Sequence, residues 1–86
     1  MFWRDGTGMR EKREYILLTF QTTSEAMAME RYCGKREIPG RLIPVPGEVS
    51  AGCGLAWRIP AEEFPVYETA IRDSGILPEN RVRLRL

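Results

Sequence analysis

The sequence predicts an α+β fold in which two helices cover one face of a four-stranded antiparallel sheet. Four short segments have the apolar or alternating composition of strands, and two segments between them have apolar residues at helical spacing. Their order along the chain is β-α-β-β-α-β. The simplest way to place two helices on one sheet in that order is the ferredoxin-like plait.

The first predicted strand begins at Glu14 with the segment EYILLTF, and its nearly continuous apolar character indicates a central position in the sheet. The first helix is predicted from Ser24 to Arg36. Thr22 and Glu25 have the spacing of a capping box at its start. Three residues fall on one face of this helix at helical intervals: Ala26, Met29 and Cys33.

The second predicted strand runs from Arg41 to Val45. It should lie at a sheet edge, because Pro44 and Pro46 have no N–H to donate to a neighbouring strand. After a loop rich in glycine, the segment LAWRI from Leu55 to Ile59 is predicted to be a short third strand.

The second helix is predicted within the segment PAEEFPVYETAIRDSG, where Pro65 fits only in the first turn and Gly75 provides a stop. Three residues form its apolar face: Phe64, Tyr67 and Ile71. The segment RVRLRL alternates strictly between arginine and aliphatic residues. This alternation predicts a fourth, half-buried strand.

Length and charge indicate one small domain without a strong overall field. In a chain of 86 residues with a formal net charge of +1, we expect residues 1–13 to be a mobile leader and residues 14–86 to be a single ferredoxin-like domain. No apolar run approaches the roughly 20 residues of a membrane-spanning helix, and no secretory signal is recognisable. We therefore expect a cytoplasmic protein with reduced thiols and no membrane partner.

The chain contains two cysteines and no histidine. Histidine is the usual general base and the commonest metal ligand, so its absence argues against a Cys–His nucleophile and a zinc centre. We predict neither a metal nor another cofactor. Cys33 lies on the apolar face of the first helix, where a free cysteine behaves as a small buried hydrophobe.

Cys53 lies between Gly52 and Gly54 in the segment PVPGEVSAGCGLAW. Glycines can adopt positive φ and turn backbone N–H groups toward the sulfur, which favours a thiolate. The third strand neighbours the first in the predicted plait, so the loop should meet the positive end of the first helix. Four hydroxyl-bearing residues are predicted to help stabilise the thiolate: Ser50, Thr22, Thr23 and Ser24. The alternative is a glycine-rich turn with an inert cysteine.

The segments YILLTFQTTSEAMAMERYC and IPGRLIPVPGEVSAGCGLAWRIP resemble a family of small bacterial proteins described as selenium/sulfur carrier protein-like. The resemblance extends from about Tyr15 to Gly75 and is most specific from Gly40 to Trp57. It implies a carrier, rather than a self-sufficient enzyme, that holds sulfane sulfur or selenium as a persulfide or selenosulfide on Cys53. It also implies a donor such as a cysteine desulfurase and an acceptor enzyme.

Other classes of function remain open on the sequence. A regulatory thiol switch would use Cys53 to join two chains or to bind a small thiol, and a protein-binding or ligand-binding module would need no chemistry there. Three arginines on one face of the fourth strand would suit nucleic acid: Arg81, Arg83 and Arg85. The near-zero net charge and the lack of an aromatic-rich RNA-binding motif argue against nucleic acid. A weak, proline-rich edge strand is compatible with a homodimer.

Overall fold

The computed structural model describes residues 13–47, 49 and 52–86. Residues 1–12, which make up most of the predicted leader, and Ser50 lie outside the described residues. The helices and strands follow the predicted order: β1 (Glu14–Thr19), α1 (Thr23–Lys35), β2 (Arg41–Pro44), β3 (Leu55–Pro60), α2 (Phe64–Asp73) and β4 (Asn80–Arg85). Neither helix is long and apolar enough to cross a bilayer, within the part of the chain that the structure describes.

The four strands form one sheet in the order β2-β3-β1-β4, and each neighbouring pair is antiparallel. The predicted ferredoxin-like plait is therefore confirmed. The apolar strand β1 is central and the proline-containing strand β2 is at an edge, as the sequence predicts. The pairing of β1 with β4 continues to Arg13 and Leu86, whose backbones exchange hydrogen bonds of 3.1 and 2.9 Å.

Helix α1 begins where the predicted cap places it. Thr22 has an extended backbone, and its Oγ1 accepts a hydrogen bond of 3.2 Å from the N–H of Glu25. The helix starts at Thr23, one residue earlier than predicted, and ends before Glu37, which has a φ of 56°. A backbone bond of 2.9 Å from Ile38 N–H to the carbonyl of Cys33 then turns the chain toward β2.

Helix α2 also follows its sequence signals. Pro65 lies in the first turn, where a missing N–H costs no helical hydrogen bond. After the last turn, Ser74 Oγ donates a bond of 2.7 Å to the carbonyl of Ile71, and Gly75 adopts a φ of 77°. A left-handed residue at this position terminates a helix, as the sequence predicts for Gly75.

One hydrophobic core lies between the sheet and the two helices. The strands and the helices contribute buried side chains to the same cluster, so both helices cover the same face of the sheet. The larger members from β1, α1, β3 and α2 and the residues flanking them are Ile16, Leu18, Phe20, Met29, Cys33, Trp57, Ile59, Phe64 and Ile71. This core holds the end of β1 in place, and the cysteine-containing loop packs there.

The arginines of β4 lie on the same face of the sheet as the helices. Register pairs Arg81 with Leu18 and Arg83 with Ile16, and directly opposed residues on paired strands share a face. Three ion pairs then join the β4 arginines to carboxylates: Arg81 with Glu68 (3.3 Å), Arg83 with Glu14 (2.6 Å) and Arg85 with Glu14 (3.7 Å). The arginine stripe that suggested a nucleic-acid surface therefore has acidic partners within this protein.

Candidate functional site

The cysteine loop, defined here as residues 52–54, lies against the end of β1 that leads into α1. The N–H of Cys53 donates a hydrogen bond of 3.3 Å to the carbonyl of Phe20. On the other side of the loop, the N–H of Val45 donates a bond of 3.0 Å to the carbonyl of Gly54. These two bonds hold Cys53 between the buried end of the central strand and the segment that follows β2.

The two glycines of the loop are needed for different reasons. Gly54 has a φ of 77°, a left-handed conformation that L residues with side chains rarely adopt. Gly52 packs closely on the chain: a Cβ at this position would lie 3.1 Å from the carbonyl oxygen of Gln21 and 3.3 Å from its Cα. Gly52 therefore allows close approach to Gln21, and Gly54 allows the turn into β3.

The thiol of Cys53 is free and half-buried. Its apolar part packs against the edge of the core, and Sγ donates a weak hydrogen bond to the carbonyl of Leu55 at 3.6 Å. A partly exposed thiol on a surface loop is accessible to a reactive group on another protein.

The predicted hydroxyl groups are not hydrogen-bonded to this thiol in the described residues. Thr22 uses its oxygen to cap α1, and Thr23 and Ser24 are exposed in the first turn of that helix. Ser50 lies outside the described residues. Two residues before α1 lie against the loop through their backbones, Phe20 and Gln21.

One charged residue at this site, Glu79, was not predicted from the sequence. The Oε1 of Glu79 accepts a hydrogen bond of 3.3 Å from the N–H of Gly52. This N–H is one of the groups that we expected to be available to a thiolate. Glu79 is 27 residues away in sequence, in the connection before β4, and no local motif marks it. Only the pairing of β4 with β1 brings it to the cysteine loop.

Cys33 has the opposite environment. It is fully buried in α1, and its Sγ donates to Met29 Sδ at 3.6 Å. Burial raises the pKa of the Cys33 thiol to about 11, because desolvation disfavours the thiolate. The sequence prediction that Cys33 is a small buried hydrophobe is confirmed.

Comparison with protein families gives one match that covers most of the chain. The family described as Putative Se/S carrier protein-like matches residues 15–83. The chain belongs to this family. The match to the Se/S carrier family includes both cysteines and parts of all four strands, and it confirms the resemblance found in the sequence. Neither the curated proteins nor the solved structures contained a significant match.

In this member of the Se/S carrier family, the half-buried thiol of Cys53 does not line the largely apolar cavity between α2 and β4. A cavity of about 270 Å³ separates α2 from β4, and its lining does not include Cys53. No group of three His, Cys, Asp or Glu side chains that could hold a metal ion occurs within residues 13–47, 49 and 52–86. The cysteine loop is a surface site in which Gly52 is exposed and the Cys53 thiol is half-buried.

The buried Cys33 thiol is expected to make the stability of this Se/S carrier family member pH-dependent in alkali. Its pKa rises from 9.0 to about 11 on folding, so between these pH values the folded chain keeps a proton that the unfolded chain loses. The contribution of this protonated thiol to the free energy of unfolding is fully present below pH 9. Above pH 9 it falls by up to about 1.4 kcal/mol per pH unit. Urea unfolding of the wild type and Cys33→Ala between pH 8 and 11 measures this difference.

Comparing the free energies of unfolding of the wild type and Cys33→Ala at each pH cancels the contributions of the other titrating groups. Cys33→Ala should be less stable at pH 8, because it removes a packed sulfur, and its deficit should shrink as pH rises. Parallel stability curves across this range would contradict the prediction, because they would mean that folding does not change the pKa of the Cys33 thiol.

Proposed function

We propose that the protein carries sulfane sulfur or zero-valent selenium on Cys53 and delivers it to an acceptor enzyme. The observation that supports this most is the contrast between the two thiols of a Se/S carrier family member. Cys53 is half-exposed on a surface loop, whereas Cys33 is fully buried and has a raised pKa. A carrier needs one accessible thiol, and Cys53 meets that need.

The proposed loading step conserves electrons without an added oxidant. The Cys53 thiolate attacks the outer sulfur of a donor persulfide, and the donor's sulfur–sulfur bond breaks as the new Cys53 persulfide bond forms. The donor's inner sulfur leaves as a thiolate, which takes up the proton released from Cys53. Delivery is the same exchange in the other direction, with a nucleophile of the acceptor attacking the outer atom.

The environment of Cys33 protects such a loaded state. A neighbouring reactive thiol would attack the persulfide and convert it to a disulfide within the chain. Cys33 is enclosed by the core and is free, so it does not compete in the folded protein. The proposed setting is the cytoplasm, where thiols stay reduced, with residues 14–86 as the carrier domain and a cysteine desulfurase as the donor.

Intact-mass spectrometry tests the proposal directly. The protein is incubated with a cysteine desulfurase and either cysteine or selenocysteine, and its mass is compared with that of Cys53→Ala and Cys33→Ala. We expect the wild type and Cys33→Ala to gain one sulfur or one selenium atom. Cys53→Ala should gain neither, and mild reduction should remove the added atom.

Two results would contradict the carrier function. An adduct that persists in Cys53→Ala would place the chemistry elsewhere. No adduct on the wild type, together with a mixed disulfide to a small thiol or to a second chain, would favour the regulatory thiol switch.

A further inference from the structure

Glu79 precedes β4 and the cysteine loop precedes β3, so the two meet at the end of β1 from opposite sides of that strand. The N–H of Glu79 donates a hydrogen bond of 2.6 Å to the carbonyl of Thr19, the last residue of β1. Its Oε1 accepts the N–H of Gly52 at 3.3 Å. One residue therefore joins β1 to the cysteine loop through both its backbone and its side chain.

Two consecutive N–H groups of the loop are thus hydrogen-bonded. Gly52 donates to the Glu79 carboxylate, and Cys53 donates to the carbonyl of Phe20. Gly52 also lies against the backbone of Gln21, too closely for a side chain to be added without movement. Among the described residues, the Glu79 carboxylate makes the one side-chain hydrogen bond to the N-terminal side of the cysteine loop.

We infer that Glu79 is a positioning residue that anchors the cysteine loop through the Gly52 N–H and whose charge opposes negative charge on the Cys53 sulfur. The inference rests on the proposed carrier function, in which Cys53 holds an anionic persulfide. A carboxylate bonded to the adjacent residue repels that anion. The same contact keeps the loop in place and limits how strongly a carried atom is retained.

Other charged residues lie near this end of the sheet, including Arg81 at the start of β4. Glu25 lies in the first turn of α1, and Glu48 precedes the loop but lies outside the described residues. The residues of β1 and β3 that bond to the cysteine loop, Phe20 and Leu55, are uncharged. Glu79 is the charged residue bonded to the loop within the described chain, so its charge can be tested separately.

Two substitutions separate anchoring from charge. Glu79→Gln keeps a side-chain oxygen that can accept the Gly52 N–H but removes the negative charge. Glu79→Ala removes both. Glu30→Gln, at an exposed position in the middle of α1, is the matched control for loss of one surface carboxylate.

The first measurement is the rate of Cys53 alkylation by iodoacetamide, followed by peptide mass mapping. At pH 7, Glu79→Gln should react about threefold faster than wild type, because the negative charge bonded to the residue before Cys53 has been removed. Glu30→Gln should match the wild type.

The second measurement is hydrogen exchange of the Gly52 N–H, with thermal unfolding to establish that each variant is folded. Exchange should be about tenfold faster in Glu79→Ala and near the wild-type rate in Glu79→Gln. If Glu79→Gln alkylates at the wild-type rate at pH 7 and Glu79→Ala keeps slow exchange, the inference is wrong.

Neither measurement requires a loaded sulfur or selenium atom. Failure of Cys53 to load, with the expected Glu79 effects intact, would overturn the carrier proposal and leave the anchoring role of Glu79 standing. Normal loading with unchanged alkylation and exchange in the Glu79 variants would overturn only the role of Glu79.

Discussion

Gly40→Ala should destabilise the fold by about 2–4 kcal/mol, a large share of the stability of a small domain. Gly40 lies just before β2 and has a φ of 138°. A Cβ there would lie 2.5 Å from the carbonyl oxygen of Arg58 and 2.7 Å from the Nε1 of Trp57, a residue that is 3% exposed. The start of β2 would have to move away from β3, so a strained conformation and a steric clash contribute together.

Urea unfolding at constant protein concentration measures this effect as a lower midpoint with an unchanged slope. Gly34→Ala provides the matched control. Gly34 lies in α1 and a Cβ there would have no neighbour within 4 Å, so alanine should stabilise the helix by roughly 0.5–1 kcal/mol. A midpoint for Gly40→Ala equal to that of wild type would mean that the β2 start relaxes without cost.

Iodoacetamide should label Cys53 at least about 100-fold faster than Cys33 in the folded protein. Cys53 is half-exposed, whereas the Cys33 side chain is fully buried and burial raises its thiol pKa to about 11. Cys33 therefore reacts only when the core opens. Timed alkylation at pH 8 followed by peptide mass mapping gives both rates in one sample.

Repeating the labelling in 8 M urea provides the control, because both thiols are then equally exposed and should react at similar rates. Comparable rates in the folded protein would contradict the enclosed position of Cys33. They would also remove the main support for assigning the carried atom to Cys53 alone.

Several features of the fold could be predicted because they depend on neighbours in sequence. The Thr22 cap and the positive φ of Gly75 follow from local backbone chemistry, and both are present in the structure. The edge position of β2 follows from Pro44, which has no N–H for a second partner strand. Both ends of α1 lie one residue before the predicted Ser24 and Arg36, because Thr22 and Arg36 are the residues that cap it.

The candidate site could be predicted only in part. The loop around Cys53 and its place beside the end of β1 follow from strand order, since β3 pairs with β1. The hydroxyls of the α1 first turn were expected at the thiol, but the oxygen of Thr22 caps its own helix. The acidic partner of the loop, Glu79, was not predicted.

The sequence by itself determined the order of the strands and helices, their caps and stops, the one-face pattern of α1 and the family of the chain. These properties depend on residue type and short spacing. The tertiary structure decided which face carries the β4 arginines, why Gly40 has no side chain and which carboxylate reaches Cys53's loop. Each of these depends on the register between strands distant in sequence, because a shift of one residue would turn every side chain to the other face.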